Sequence, residues 1–244
     1  MDFTLIFILV ISLIGFVVFR FLTRRKKPVA KDQTSVAEMG FSPIPFPEAD
    51  FKQAINRLHH KYSGQQLAVA DVFQKVVDQD YVYILDLEDQ AEKDHFFLAR
   101  DMIAIQSPEL ELPRMTIMTR FKALGGFGNM MDRFVSQHSN WETNLQGLIL
   151  LDYTSTPAIR QRYLIFSPAA AEGLTRQFLN NTRMSFLMSM ENNYVIDTLG
   201  DMLTIMNAGA NPNESRKNQI ERNVQDALSL AGFFKSVTPV NSLN

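Results

Sequence analysis

Four histidines, His59, His60, His95 and His138, are the only imidazoles in the chain, and metal binding or proton transfer would start from them. None stands at the i, i+4 spacing with a neighbouring glutamate by which a helix offers zinc two ligands and a base. His59 and His60 are adjacent, so on a helix they point about 100° apart. Both read as ordinary surface or helix-end histidines, and His60 near a helix C-terminus would favour its charged form through the dipole. The densest acidic group is Asp78, Asp80, Asp86, Glu88, Asp89, Glu92 and Asp94. Paired carboxylates bind divalent cations or exchange protons, but this run lacks the alternating oxygen ligands and the sixth-place glycine of an EF-hand loop, and it reads as a solvated hairpin tip.

Gly125-Gly126-Phe127-Gly128 has neither the following Lys-Ser/Thr of a phosphate loop nor a G-x-G-x-x-G pattern, so it reads as a turn. No G-x-S-x-G nucleophile elbow occurs. Without cysteine the chain has no thiol nucleophile, disulfide or cysteine-held metal. These residues therefore assign no catalytic, cofactor or metal position. An enzyme assembled from scattered acids and arginines would use Asp152, Arg160 and Arg162, near one strand end. Met184, Met188, Met190, Met202 and Met206, with Phe186 and Leu187, could form a lipid or partner groove, although gap-filling in a core is the commoner use of methionine. Trp141, the only tryptophan, reads as closing a core edge.

The elements that would position such residues begin with an apolar run. Phe3 to Phe19 carries no charge, and extension to residue 23 gives about 21 residues, roughly 31 Å of helix, enough for a transmembrane span over 3–23. Asp2 precedes the run and Arg-Arg-Lys-Lys follows it, the reverse of a cleaved signal peptide. The cluster Arg20, Arg24, Arg25, Lys26 and Lys27 predicts an N-terminus outside and the remainder in the cytoplasm. From Asp32 onward the chain holds 18 basic and 25 acidic residues. That balance argues against nucleic acid as a partner and for a domain that stands off an anionic bilayer.

Residues 24–46 read as a basic juxtamembrane segment and proline-rich linker, 47–236 as one cytoplasmic domain and 237–244 as a C-terminal tail. Phe51, Ala54, Ile55, Leu58 and Tyr62 lie on one face of a helix. Val72–Val77, Tyr81–Leu87, Phe96–Ile105, Met115–Phe121, Leu145–Tyr153 and Arg162–Phe166 read as strands, with Asp78-Gln79-Asp80 as a turn and Pro113 at a strand start or edge. Ser167-Pro168 reads as a helix cap, Glu191-Asn192-Asn193 as a hairpin between Met184–Met190 and Tyr194–Thr198, and Asn213 to Phe234 as the last helix. The order predicts an α+β fold with a mainly antiparallel sheet and packed helices.

Val72 to Thr119, with its Val-Phe-Gln-Lys-Val-Val and Tyr-Val-Tyr-Ile-Leu-Asp-Leu runs and Leu-Glu-Leu-Pro-Arg-Met-Thr-Ile, together with Arg160-Gln-Arg-Tyr-Leu-Ile-Phe-Ser-Pro, resembles a family of uncharacterised bacterial single-pass membrane-anchored proteins of unknown function. The resemblance covers about half the chain and implies architecture without an activity. The resulting expectation is a bacterial plasma-membrane protein, non-catalytic and without cofactor, that acts as an accessory or scaffold component of a membrane assembly. Its partners would be the bilayer and a protein, with Ile220, Val224, Leu228 and Phe127 as contacts. The alternatives are a lipid or small-ligand binding protein, or the acid/arginine enzyme above.

Overall fold

Among the described residues there are nine strands, most of them rich in Val, Ile, Leu and Tyr: β1 (Ser42–Pro43), β2 (Leu67–Val77), β3 (Asp80–Asp89), β4 (Phe96–Gln106), β5 (Leu112–Thr119), β6 (Leu148–Leu150), β7 (Tyr163–Pro168), β8 (Tyr194–Gly200) and β9 (Met202–Asn207). They make one sheet in the order β1-β2-β3-β4-β9-β8-β5-β7-β6, and each pairing is antiparallel. The helices are α1 (Gln33–Glu38), α2 (Ala49–His59), α3 (Pro157–Arg162), α4 (Glu172–Phe178), α5 (Asn181–Ser189) and α6 (Arg216–Ser236). The α+β class with an antiparallel sheet is thus observed.

This computed structural model describes residues 33–59, 67–89, 96–120, 147–153, 156–207 and 214–236. The chain divides into units Met1–Thr34 and Ser35–Asn244, and the sheet with its covering helices belongs to the second. The proposed span 3–23, the cluster Arg20, Arg24, Arg25, Lys26 and Lys27, Phe127 and the tail 237–244 lie outside the described residues. Among the described residues no helix is long and apolar enough to cross a membrane.

Side chains alternate across the sheet and give it two apolar faces. One face carries Val82, Ile84, Ile103, Ile105, Ile117 and Ile196, which pack with Leu187 of α5 and with Ile220, Ala227, Leu230 and Phe234 of α6. Two ion pairs tie α6 across that face: Arg216 forks onto both Asp101 oxygens at 2.8 and 2.9 Å, and Lys235 reaches Asp80 at 2.6 and 2.7 Å. The opposite face carries Val72, Tyr83, Leu85, Met102 and Ala104 beneath Phe51, Ile55 and Leu58 of α2. The i, i+4, i+7 spacing read from the sequence is the contact face of this helix.

The folded unit begins earlier than position 47. Val36 and Phe41 are core residues, and β1 pairs Pro43 with Phe73. Proline is tolerated there because β1 is a two-residue edge strand. Among the described residues of the expected strand Leu145–Tyr153, those of β6 are extended into the sheet, and α3 intervenes before β7, with Pro157 at its start. Ser167-Pro168 ends β7, with Pro168 rather than Ser167 at the N-cap position of the 3-10 turn Ala169–Ala171 and no side-chain capping bond, and Ser167 Oγ lies 2.7 Å from Thr175 Oγ1.

Met184–Met190 is not a hairpin arm. It lies in α5, whose N-cap is Asn180, with the side chain accepting from the Arg183 N–H at 3.0 Å. Unbranched Met and Leu are good helix formers, so this segment follows intrinsic preference. The hairpin instead joins β8 to β9 through Gly200-Asp201, where Gly200 takes φ +61°, the sign a two-residue II′ turn needs at its first position. Ser215 caps α6 through the Asn218 N–H.

Candidate functional site

One cross-strand row runs beneath α2. Gln74 on β2 faces Tyr83 on β3, Tyr83 faces Ala104 on β4, and Ala104 faces Thr204 on β9. Thr204 faces Asp197 on β8, and Asp197 faces Thr116 on β5. The row is polar at both ends and small at its centre, and α2 lies over it. Each end holds a group of polar side chains, one sealed and one open.

At the sealed end Thr204 Oγ1 is 3.2 Å from His59 Nε2, and His59 Nδ1 is 3.6 Å from Asp197 Oδ2. The Thr116 hydroxyl donates to Asp197 Oδ1 at 2.6 Å. Hydroxyl, imidazole and carboxylate in this order are the parts of a nucleophilic triad. His59, Asp197, Thr116 and Thr204 are each 0% exposed, so no substrate reaches the Thr204 hydroxyl. The chain is a structural tie that fixes the C-terminal end of α2 to three strands. His59 is therefore a helix-end residue, as its position implied, but it is not on the surface.

At the open end a groove of about 920 Å³ lies where the segment entering α2 passes the β2–β3, β4 and β8–β9 ends of the sheet. Its floor includes Tyr83, whose ring packs on Phe51 at 4.2 Å and whose oxygen accepts from Gln74 Nε2 at 3.3 Å. Tyr81 lies beside it, with ring centroids 6.4 Å apart and planes 26° apart. Phe46 stands on the rim at 88% exposure. Tyr81 is 45% exposed, and its cross-strand partner Val76, outside the lining, is 58% exposed. The charged lining residues are Glu48, Asp50 and Asp201, and no Lys or Arg lines the groove among the described residues. Asp201 also accepts from Gln106 Nε2 at 3.0 Å.

The local sequence accounts for this arrangement. The Glu48 carbonyl accepts the Lys52 N–H, so Glu48 opens α2, and acids in a first turn complement the helix dipole. Pro45 and Pro47 flank Phe46, and a proline restricts the residue before it to extended backbone. Burial pushes the Tyr83 phenol up to about 12, helped by the Glu48 and Tyr81 charges and opposed by the Gln74 hydrogen bond. The groove therefore presents a neutral phenol beside carboxylates at ordinary pH.

Of the residues singled out in the sequence, Ile220 is a core residue and is not available to a partner, because the apolar stripe of α6 covers the sheet. Val224 and Leu228 are partly buried against the same core. Met184 and Met202 are buried in the two cores, and Met188, Met190 and Met206 are partly buried beside them. Arg162 donates to the Met188 and Met190 carbonyls at the end of α5, and Asp152 offers its own carbonyl to Arg176. The acidic tip is in part structural, since Asp80 pairs with Lys235 and the nearly buried Asp86 accepts the Asp101 N–H at 2.9 Å. Among the described residues no group of three His, Asp or Glu is placed to hold a metal.

The groove was not read from the sequence. Its one local signal is an aromatic residue inside a proline-rich run with two acids following, and the other lining residues come from three distant strand ends.

The chain matches no family model, no curated protein and no solved structure.

Proposed function

We propose that this chain is a membrane-tethered binding module whose α+β domain recruits a protein partner through the groove at the N-terminal end of α2. The apolar stretch 3–23 anchors it as a single span in a bacterial plasma membrane. Arg20, Arg24, Arg25, Lys26 and Lys27 keep the domain on the cytoplasmic side, where it serves as an accessory or scaffold component of a membrane assembly. The observation that carries the binding reading is Phe46, a large apolar side chain left 88% exposed on the rim of a formed groove while Phe51 and Tyr83 beneath it are buried. Exposed aromatic residues beside a concave surface are how protein interfaces supply their anchors.

A photo-crosslinking amino acid at position 46, compared with one at Leu174, another exposed apolar residue (59% exposed) outside the groove, tests this reading. In native membranes the position-46 chain is expected to give a discrete heavier adduct and the position-174 chain none. Equal labelling at both positions, or none at either, sinks the binding reading. The anchor is tested separately. The full chain should stay in the membrane pellet at alkaline carbonate wash, while digestion of its C-terminal domain in intact spheroplasts would reverse the orientation.

A further inference from the structure

We infer that the occupant of this groove is a short extended peptide segment of a partner protein that carries arginine or lysine side chains next to an apolar residue. This rests on the groove being a binding site and adds the chemistry of what enters it. Charge is the first observation. Glu48, Asp50 and Asp201 line the groove with no Lys or Arg among its described lining residues, although ion pairs neutralise acids elsewhere on the domain, as at Asp80, Asp101 and Glu214. The groove carboxylates thus leave an electrostatic demand that a positive ligand meets.

The aromatic geometry is the second. Tyr81 and Tyr83 lie side by side, and an aromatic face next to carboxylates attracts guanidinium or ammonium groups through its quadrupole as well as through the nearby charge. Guanidinium also stacks flat and forks onto a carboxylate, a pairing that this combination of side chains suits. Phe46, Val76 and Tyr81 supply exposed apolar surface for the segment's apolar residue, and the amides of Gln74, Gln79 and Gln106 supply donors and acceptors for its backbone.

Other occupants fit less well. Phosphate groups, and with them nucleic acid and anionic headgroups, would meet the carboxylates at the start of α2, which cancel the pull of the helix N-terminus on anions. A second copy would bring another acidic domain, with 18 basic and 25 acidic residues from Asp32 onward. A volume of about 920 Å³ lies at the upper end of the range for small-molecule pockets, and the groove is open to solvent along its rim.

The test uses the full-length chain in phosphatidylcholine nanodiscs and three blocked hexapeptides, Ala-Arg-Phe-Arg-Ala-Arg and its counterparts with citrulline or glutamate in place of arginine. Citrulline keeps the shape of arginine and removes its charge. The arginine peptide is expected to bind about tenfold or more tighter than the citrulline peptide, as two lost charge-assisted contacts imply, and to weaken as salt rises. The glutamate peptide should not bind. Glu48→Gln with Asp50→Asn should abolish the preference for arginine while citrulline binding stays unchanged, and circular dichroism confirms that the variant is folded. Phe46→Ala should weaken both peptides.

Equal binding of the arginine and citrulline peptides overturns the cationic assignment and leaves the groove as a binding site. Absence of any peptide binding alongside a position-46 crosslink does the same, whereas absence of both removes the groove reading itself. If neutralising Arg24, Arg25, Lys26 and Lys27 to Gln raises arginine-peptide affinity tenfold or more, the chain's own basic stretch occupies the groove, and the assignment to a partner falls.

Discussion

The two ends of α2 hold polar groups that invite opposite conclusions. At the C-terminal end His59, Asp197 and Thr204 stand in triad order, and residue type and distance alone would nominate them as catalytic. At the N-terminal end Glu48, Asp50 and Phe46 form no recognised constellation. Exposure reverses the ranking, since the first group is closed to solvent and the second lies open beside a groove. Recognisable chemistry without access is architecture, and buried polar groups of this kind repay their desolvation only through good geometry and hydrogen bonds.

The comparison is sharpest in stability. Asp197→Ala should cost about 3 kcal/mol or more in urea unfolding, because it deletes a fully buried carboxyl group, leaves a cavity beside the His59 ring and deprives the Thr116 hydroxyl of its acceptor. A loss below about 1 kcal/mol would mean that the sealed chain is not a structural tie. Thr204→Val keeps the shape of the side chain and removes the hydroxyl facing His59 Nε2, for an expected cost of about 1–3 kcal/mol.

Tyr83, on the floor of the open end, links stability to pH. Its folded phenol is pushed up to about 12 from the ordinary 10.0. The resulting stability is fully present below pH 10 and is lost as pH rises through about 12, since only the unfolded chain ionises easily in that window. Tyr83→Phe should cost about 0.5–1.5 kcal/mol at neutral pH through the lost Gln74 bond. The same variant should show a shallower decline in alkaline denaturation. Tyr153, Tyr163 and Tyr194 are also raised, chiefly by burial, so absorbance at alkaline pH should show late-ionising tyrosines even in the variant.

The smallest stability effect belongs to the open end. Phe46→Ala should change unfolding free energy by no more than about 0.5 kcal/mol, because the side chain is almost wholly in water, while weakening the peptide binding described above. A destabilisation comparable to that of Asp197→Ala would make Phe46 a packing residue and dissolve the contrast.

How much was legible follows from the range of each interaction. The contact face of α2, the β2–β3 hairpin and the apolar stripe of α6 were all visible, because their periodicity lies within a dozen or so residues. Short apolar runs were ambiguous. Met184–Met190 and Met202–Asn207 have similar composition, yet the first is helical and the second a strand, decided by the Asn180 cap and by pairing to β8 and β4. Asn180 caps the start of α5, although asparagine favours either helix boundary.

From the sequence alone came the α+β class, the cysteine-free chemistry, the acidic balance after the basic cluster and the apolar stretch that motivates a membrane anchor. The tertiary structure decided what its polar residues are for. Thr116, Asp197 and Thr204 become neighbours only through strand register, and His59 joins them only because α2 crosses that row. Phe46 and Asp201 meet at one groove although 155 positions apart in the chain. Local periodicity is written in neighbouring side chains, whereas solvent access depends on which distant elements cover a residue, and that is a property of the packed molecule.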